Sequence, residues 1–202
     1  MIVSKLKQYF PSPGTVWSDA KDPAPFAFLT GVTHRELLKK WFLFNELNQP
    51  DFKTVGPDPG FTTCTGFAPV LFSRVLQELR LPGRNFGSAN MRVMPGWETM
   101  WMADFFGGPR PGDFYMVTTG GSSDGEFHHV AVIAEVQGGM WSVVGGGAGG
   151  RPYGHDGVSR SEVKVRPPEV AGCLNIDMYF RSLGGPYAAV AQEEDEAQAA
   201  GA

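Results

Sequence analysis

The sequence predicts an α+β fold, and three observations predict it. Apolar residues in the first half recur at three- and four-residue steps, at Leu37, Leu38, Trp41 and Phe42 and again from Phe67 through Val70, Leu71 and Val75 to Leu79. That is the period of a helix with one buried face. After Pro111-Gly112 the pattern changes to short apolar runs separated by Gly-Gly and Ser-Ser, which are strand and turn signals. Helices and strands kept apart along the chain point to an antiparallel sheet with helices packed on it, not to alternating crossovers.

Composition bounds the rest. A chain of 202 residues suffices for one domain with a substantial core. Its hydrophobic fraction of 42% and charged fraction of 19% are those of an ordinary globular protein, which argues against wholesale disorder. A net charge of -4 offers no basic footprint for phosphates, so nucleic acid is not an expected partner. The longest apolar runs, Phe67 to Phe72 and Val130 to Ala134, fall far short of the roughly 20 residues a spanning helix needs, so no membrane span is expected. The first residues lack the basic, apolar and small-residue regions of a secretory signal. The expectation is synthesis in the cytoplasm, with any action in the periplasm or on a cell wall requiring a non-classical or contact-dependent route.

The elements follow in order. Residues 1–31, with Pro11, Pro13, Pro23 and Pro25, read as an irregular arm. Residues 32–190 read as the domain. Thr33-His34-Arg35-Glu36 has the form of a capping box, starting a helix over about residues 34–47. Breakers from Pro50 to Gly60 force a loop, and a helix of about four turns is predicted from Thr63, distorted near Pro69 and stopped by Leu81-Pro82-Gly83. Residues 84–112 are irregular with helical potential from Trp97 to Phe105. Strands are expected at Asp113–Thr118, His129–Val136 and Met140–Val144, with two more at Val158–Val165 and Cys173–Phe180. Residues 191–202, carrying Glu193-Glu194-Asp195-Glu196, read as a mobile acidic tail.

Two cysteines, Cys64 and Cys173, cannot build a disulfide scaffold. Cys64 stands at the predicted helix start, where unpaired amides and the helix dipole favour a thiolate. A lone cysteine more often fills core space. His128-His129 opens the apolar run Val130-Ala131-Val132-Ile133, so an imidazole at a strand end is placed to face a nucleophile across a cleft. Alternation puts His128 on the side of Val130 and Val132, and His129 on the side of Ala131 and Ile133, without deciding between them. The four histidines, His34, His128, His129 and His155, form no metal-ligand pattern, and no metal or other cofactor is expected. Gly145 to Gly150 lacks the Gly-Lys-Ser/Thr ending of a phosphate loop and reads as a flexible cleft edge.

Thr62-Thr63-Cys64-Thr65-Gly66-Phe67 resembles the Cys-Ser-Gly-apolar helix start of NlpC-type cell-wall peptidases and CHAP amidases, and Leu79-Arg80-Leu81-Pro82 resembles the ending of that helix. Pro111-Gly112-Asp113-Phe114 is similar to their Pro-Gly-Asp motif, and His129-Val130-Ala131-Val132-Ile133 to their His-Val-Gly-Ile strand, in matching order over roughly residues 60–165. The resemblance implies a papain-like fold, with the nucleophile Cys64 at a helix start packed on an antiparallel sheet and His129 as the base. It also implies a third polar residue on the next strand. That strand reads Trp141-Ser142-Val143-Val144-Gly145-Gly146-Gly147, with Gly147 where some CHAP-like amidases carry asparagine. Ser142, His155 and Asp156 are candidate substitutes, and a Cys-His dyad is the alternative.

In the mechanism expected of such a dyad the oxyanion is held by the Cys64 amide and a donor near Thr62 or Thr63. Trp97, Trp101, Phe127 and His128 are candidate cleft residues, with packing in the core the more common role for any one of the aromatics. The activity the resemblance implies is hydrolysis of an amide in peptidoglycan, in the stem peptide or between glycan and peptide. With neither a secretory signal nor a wall-binding repeat in the sequence, a delivered bacterial effector or phage-type lysin is the expectation, and a cognate immunity protein is a partner expected only under the effector reading. The alternatives are a papain-like protease or deamidase acting on a protein, and an inactive papain-like binding module.

Overall fold

Alternation after Pro111 becomes an antiparallel sheet in the computed structural model, which describes residues 2–14, 16–17, 64–84, 86–146, 158–167 and 169–200. Its strands are β1 (Val16–Trp17), β2 (Trp97–Thr99), β3 (Phe114–Thr118), β4 (Phe127–Gln137), β5 (Met140–Gly146), β6 (Val158–Arg160), β7 (Lys164–Val165) and β8 (Val170–Leu174). They run in the order β1-β6-β5-β4-β3-β8-β2, with β7 pairing β5, and the pairings are antiparallel. The helices are α1 (Ile2–Lys7), α2 (Cys64–Glu78), α3 (Met100–Phe105), α4 (Ile176–Leu183) and α5 (Gly185–Ala200). The α+β class is therefore the observed one.

Both faces of the sheet are covered, which is why Val130 to Ala134 is buried without interruption. The first face carries Val130, Val132 and Ala134 with Phe114, Met116, Val144 and Leu174. Against it α2 sets Phe67, Ala68, Leu71, Phe72 and Val75, the three- and four-step positions of the sequence. Each of the larger side chains contributes about 1.5–3 kcal/mol on full burial. The second face carries Tyr115, Ala131, Ile133, Trp141, Val170 and Cys173.

The end of α2 is made by Arg80 at φ 56. Its amide donates to Gln77 O at 3.0 Å and the Leu81 amide to Leu76 O at 2.8 Å, the two bonds of a left-handed helix stop. Leu81 is then buried and Pro82 leads the chain away. Pro69 lies inside the helix without ending it.

Several expectations are corrected. The arm is not irregular at its start: α1 buries Ile2 and Leu6 in the main core, and β1 pairs β6. Cys173–Phe180 is not one strand. Asn175 caps α4 by accepting from the Met178 amide at 3.0 Å, after which Ile176, Tyr179 and Phe180 bury at helical spacing. Val158–Val165 divides into β6 and β7 because the Ser161 hydroxyl takes the Val143 amide at 3.2 Å where a ladder carbonyl would have stood. The acidic tail continues α5, whose Tyr187 and Ala191 are buried, because alanine and glutamate are strong helix formers. Trp97–Phe105 begins as strand β2 and turns helical where Thr99 caps α3 by accepting from the Met102 amide. The predicted helix over 34–47, its capping box and the loop of residues 50–61 lie outside the described residues.

Candidate active site

Cys64 is the first residue of α2, half-buried, and packs against the main core. Neither it nor Cys173 forms a disulfide. A thiol at the start of a 15-residue helix stands where the unbonded amides concentrate positive potential.

A bulge selects the histidine. Val117 of β3 pairs with His129 of β4, but the next residue, Thr118, pairs with Phe127, so His128 is the extra residue. Squeezed out of the ladder, His128 is exposed and its Nε2 lies 2.7 Å from the Thr119 hydroxyl. His129 is turned onto the second face, half-buried, beside Ala131. The ring of Tyr115 stands edge-on to it at 6.3 Å and 62°. On its other side the backbone of Gly145 leaves room for the imidazole, since a Cβ there would lie 3.4 Å from Nε2. Burial lowers the His129 pKa below its usual 6.5, so the imidazole is neutral at pH 7 and able to accept a proton.

Tyr115 is the aromatic neighbour of His129. Tyr115 is buried, and its phenol pKa is raised first by that burial and then by the charges that Cys173 and Cys64 would carry as thiolates. Cys64 packs with the first core and His129 lies on the second face; Cys64 is the smallest of the causes that raise the Tyr115 pKa, and burial is what lowers that of His129.

The loop before His129 is built, not merely connecting. Thr118 Oγ1 donates to Ser122 O at 2.6 Å and the Thr119 amide to Glu126 O at 2.9 Å. Arg92 donates to Ser123 O at 2.7 Å and Gly125 O at 3.2 Å.

Pro111-Gly112-Asp113 serves the other end of the hairpin. Gly112 has φ 98, its amide donates to Ile133 O at 2.7 Å, and a Cβ would meet Val3 Cγ2 at 2.8 Å, so only glycine fits. The Asp113 carboxylate accepts from the amides of Arg110 at 2.9 Å and Ile176 at 3.2 Å, tying β3 to the start of α4. Burial raises its pKa to about 7 against the opposing pull of those amides and of the Arg110 charge.

The other candidate residues are placed apart from His129. Ser142 is buried opposite Glu135, six residues along β4 from the imidazole, or roughly 20 Å of strand. Its hydroxyl donates to Ser161 O at 2.8 Å and accepts from Arg160 Nε at 3.1 Å, which commits it to joining β5 to β6 and removes it as the third group. Trp97 lies on edge strand β2, three strands from β4, with its ring over Gly172. Trp101 is 75% exposed on α3 and stacks on Phe105 at 5.9 Å. Neither tryptophan is brought to His129. Phe127, next to the bulge, packs on the main core. Thr62, Thr63, His155 and Asp156 lie outside the described residues.

Tyr115 and Gly145 are the site residues that sequence reasoning missed. The signal for Tyr115 was its place in the alternation of Phe114–Thr118, two strand positions from the residue that pairs with His129. Gly145 was hidden in a glycine run.

No family model, curated protein or solved structure matches the chain.

Proposed function

We propose that the chain is a cysteine-dependent amide-bond hydrolase of papain-like fold, with Cys64 as nucleophile and His129 as base. The observation that carries this reading is a desolvated imidazole, turned inward by a bulge, on the sheet against which the helix that starts at Cys64 packs. His129 takes the Cys64 proton as the sulfur attacks the amide carbonyl, and the Cys64 backbone amide donates to the oxyanion. The proton on His129 passes to the departing amine, leaving a thioester. Water, losing a proton to the same imidazole, then releases the acid.

A neutral imidazole suits this order of events: it is held ready to accept, and the thiol loses its proton as attack occurs. Peptidoglycan is the proposed substrate class, either a stem peptide or the amide between glycan and peptide, on the strength of the motifs shared with NlpC-type peptidases and CHAP amidases.

Two measurements test the reading. Incubation with purified cell-wall sacculi is expected to release new amines with wild type and none with Cys64→Ala. Release from protein substrates alone would replace peptidoglycan with a protein as the target. Iodoacetamide alkylation of Cys64 followed against pH is expected to depend on His129, and an identical profile in His129→Ala would defeat the dyad.

A further inference from the structure

We infer that Tyr115 and Gly145 together position the His129 imidazole, in the role that a polar residue on the neighbouring strand plays in the related motif. The inference rests on the proposed use of His129 as a base and adds the groups that hold it.

One row of the second face explains how. The register aligns Glu98 with Cys173, Cys173 with Tyr115 and Tyr115 with Ala131, and Gly145 sets its α-carbon toward the Ala131 methyl. His129 is the next residue of β4 on this face, so its ring reaches back over the row between the Tyr115 ring and the Gly145 backbone. Tyr115 is itself fixed: Trp141 stands edge-on to it at 5.5 Å and 66°, and both are buried. An aromatic edge contact of this kind contributes about 0.5–1.5 kcal/mol beyond area burial and prefers a defined ring orientation. At position 145 a methyl group would press on the Ala131 Cβ at 3.2 Å and touch His129 Nε2 at 3.4 Å, so a side chain there crowds the row on which the imidazole rests. The titratable group beside the ring is Tyr115; Cys173 and Cys64 bear on Tyr115, and Asp113, Glu98, Arg166 and Asp104 on Cys173.

The test reads the imidazole directly, by NMR titration of His129 in the full chain, alongside the pH profile of Cys64 alkylation. Wild type is expected to titrate below 6.5. Tyr115→Leu, which removes the ring, is expected to move the His129 titration upward, toward its ordinary value. Tyr115→Phe, which keeps the ring, is expected to restore the wild-type titration. Gly145→Ala is expected to shift it as well, and carries the test should Tyr115→Leu fail to fold. A His129 titration indifferent to both Tyr115→Leu and Gly145→Ala in folded protein overturns the inference. Because the titration needs no substrate, the two readings fail separately. If His129 responds to Tyr115 while Cys64 ignores His129, the positioning stands and the hydrolase does not; if Cys64 follows His129 but His129 ignores both variants, the hydrolase stands and the positioning does not.

Discussion

Strand β4 carries two register shifts, and their surroundings differ in kind. Near Ile133 and Glu135, where β4 meets β5, polar groups are tied together: Arg160 bridges Glu135 at 2.6 Å and donates to Ser142, which donates to Ser161 O. At the same end of the hairpin Asp113 is held by two backbone amides. Near His129, where β4 meets β3, the shift instead expels one histidine and buries another against an aromatic edge and a glycine backbone. Polar groups saturated with hydrogen bonds brace a fold. Under the proposed function, the imidazole desolvated beside aromatic and glycine neighbours is the group that would transfer the proton.

The sharpest way to break this contrast is to exchange the two ends. His129→Ala is expected to lower hydrolysis of sacculi by at least about a thousandfold while barely moving the melting temperature. Were stability to collapse with little loss of turnover, the His129 end would be a brace like the other.

Asp113 gives the largest stability effect. Its folded pKa of about 7 lies above the ordinary value of 3.8, so the folded state holds a proton that the unfolded chain has released over that interval. Its contribution is full below pH 4 and is lost as pH rises through 7, by about 4 kcal/mol. His129 acts with the opposite sign: its lowered pKa means stability present above 6.5 is lost as pH falls below that value. Urea unfolding of Asp113→Asn against wild type between pH 4 and 8 is expected to isolate the first slope, and of His129→Ala the second. Parallel curves for Asp113→Asn and wild type would refute the raised carboxyl.

Arg160→Ala leaves the buried Ser142 short of a donor and Glu135 unpaired, and is expected to cost about 1–3 kcal/mol in chemical denaturation. The Cys64 alkylation profile should stay put, and a shifted profile would show that the two ends of β4 are coupled. The smallest effect belongs to the stop of α2, where Arg80 occupies a left-handed conformation that costs a side-chain-bearing residue about 1–2 kcal/mol. Arg80→Gly relieves that strain against a glycine entropy cost of about 0.5–1 kcal/mol, so a gain of about 0.5 kcal/mol is expected in thermal melts.

Legibility in the sequence followed the range of the interactions. The α2 helix, its start at Cys64, the Gly112 turn and strands β3 to β5 were readable because each is written in local periodicity or in a residue that its own backbone demands. Cys173–Phe180 was misread because an apolar run looks alike in either state until Asn175 is seen capping one. Ser142 looked available because its commitment to Ser161 and Arg160 spans a loop that periodicity does not describe.

By itself, then, the sequence determined the α+β class, the thiol at a helix start and the pair of histidines at a strand mouth. Only the tertiary structure decided which histidine turns inward, because that depends on how β4 pairs with β3. A bulge is a property of two strands in register, and neither strand alone encodes it.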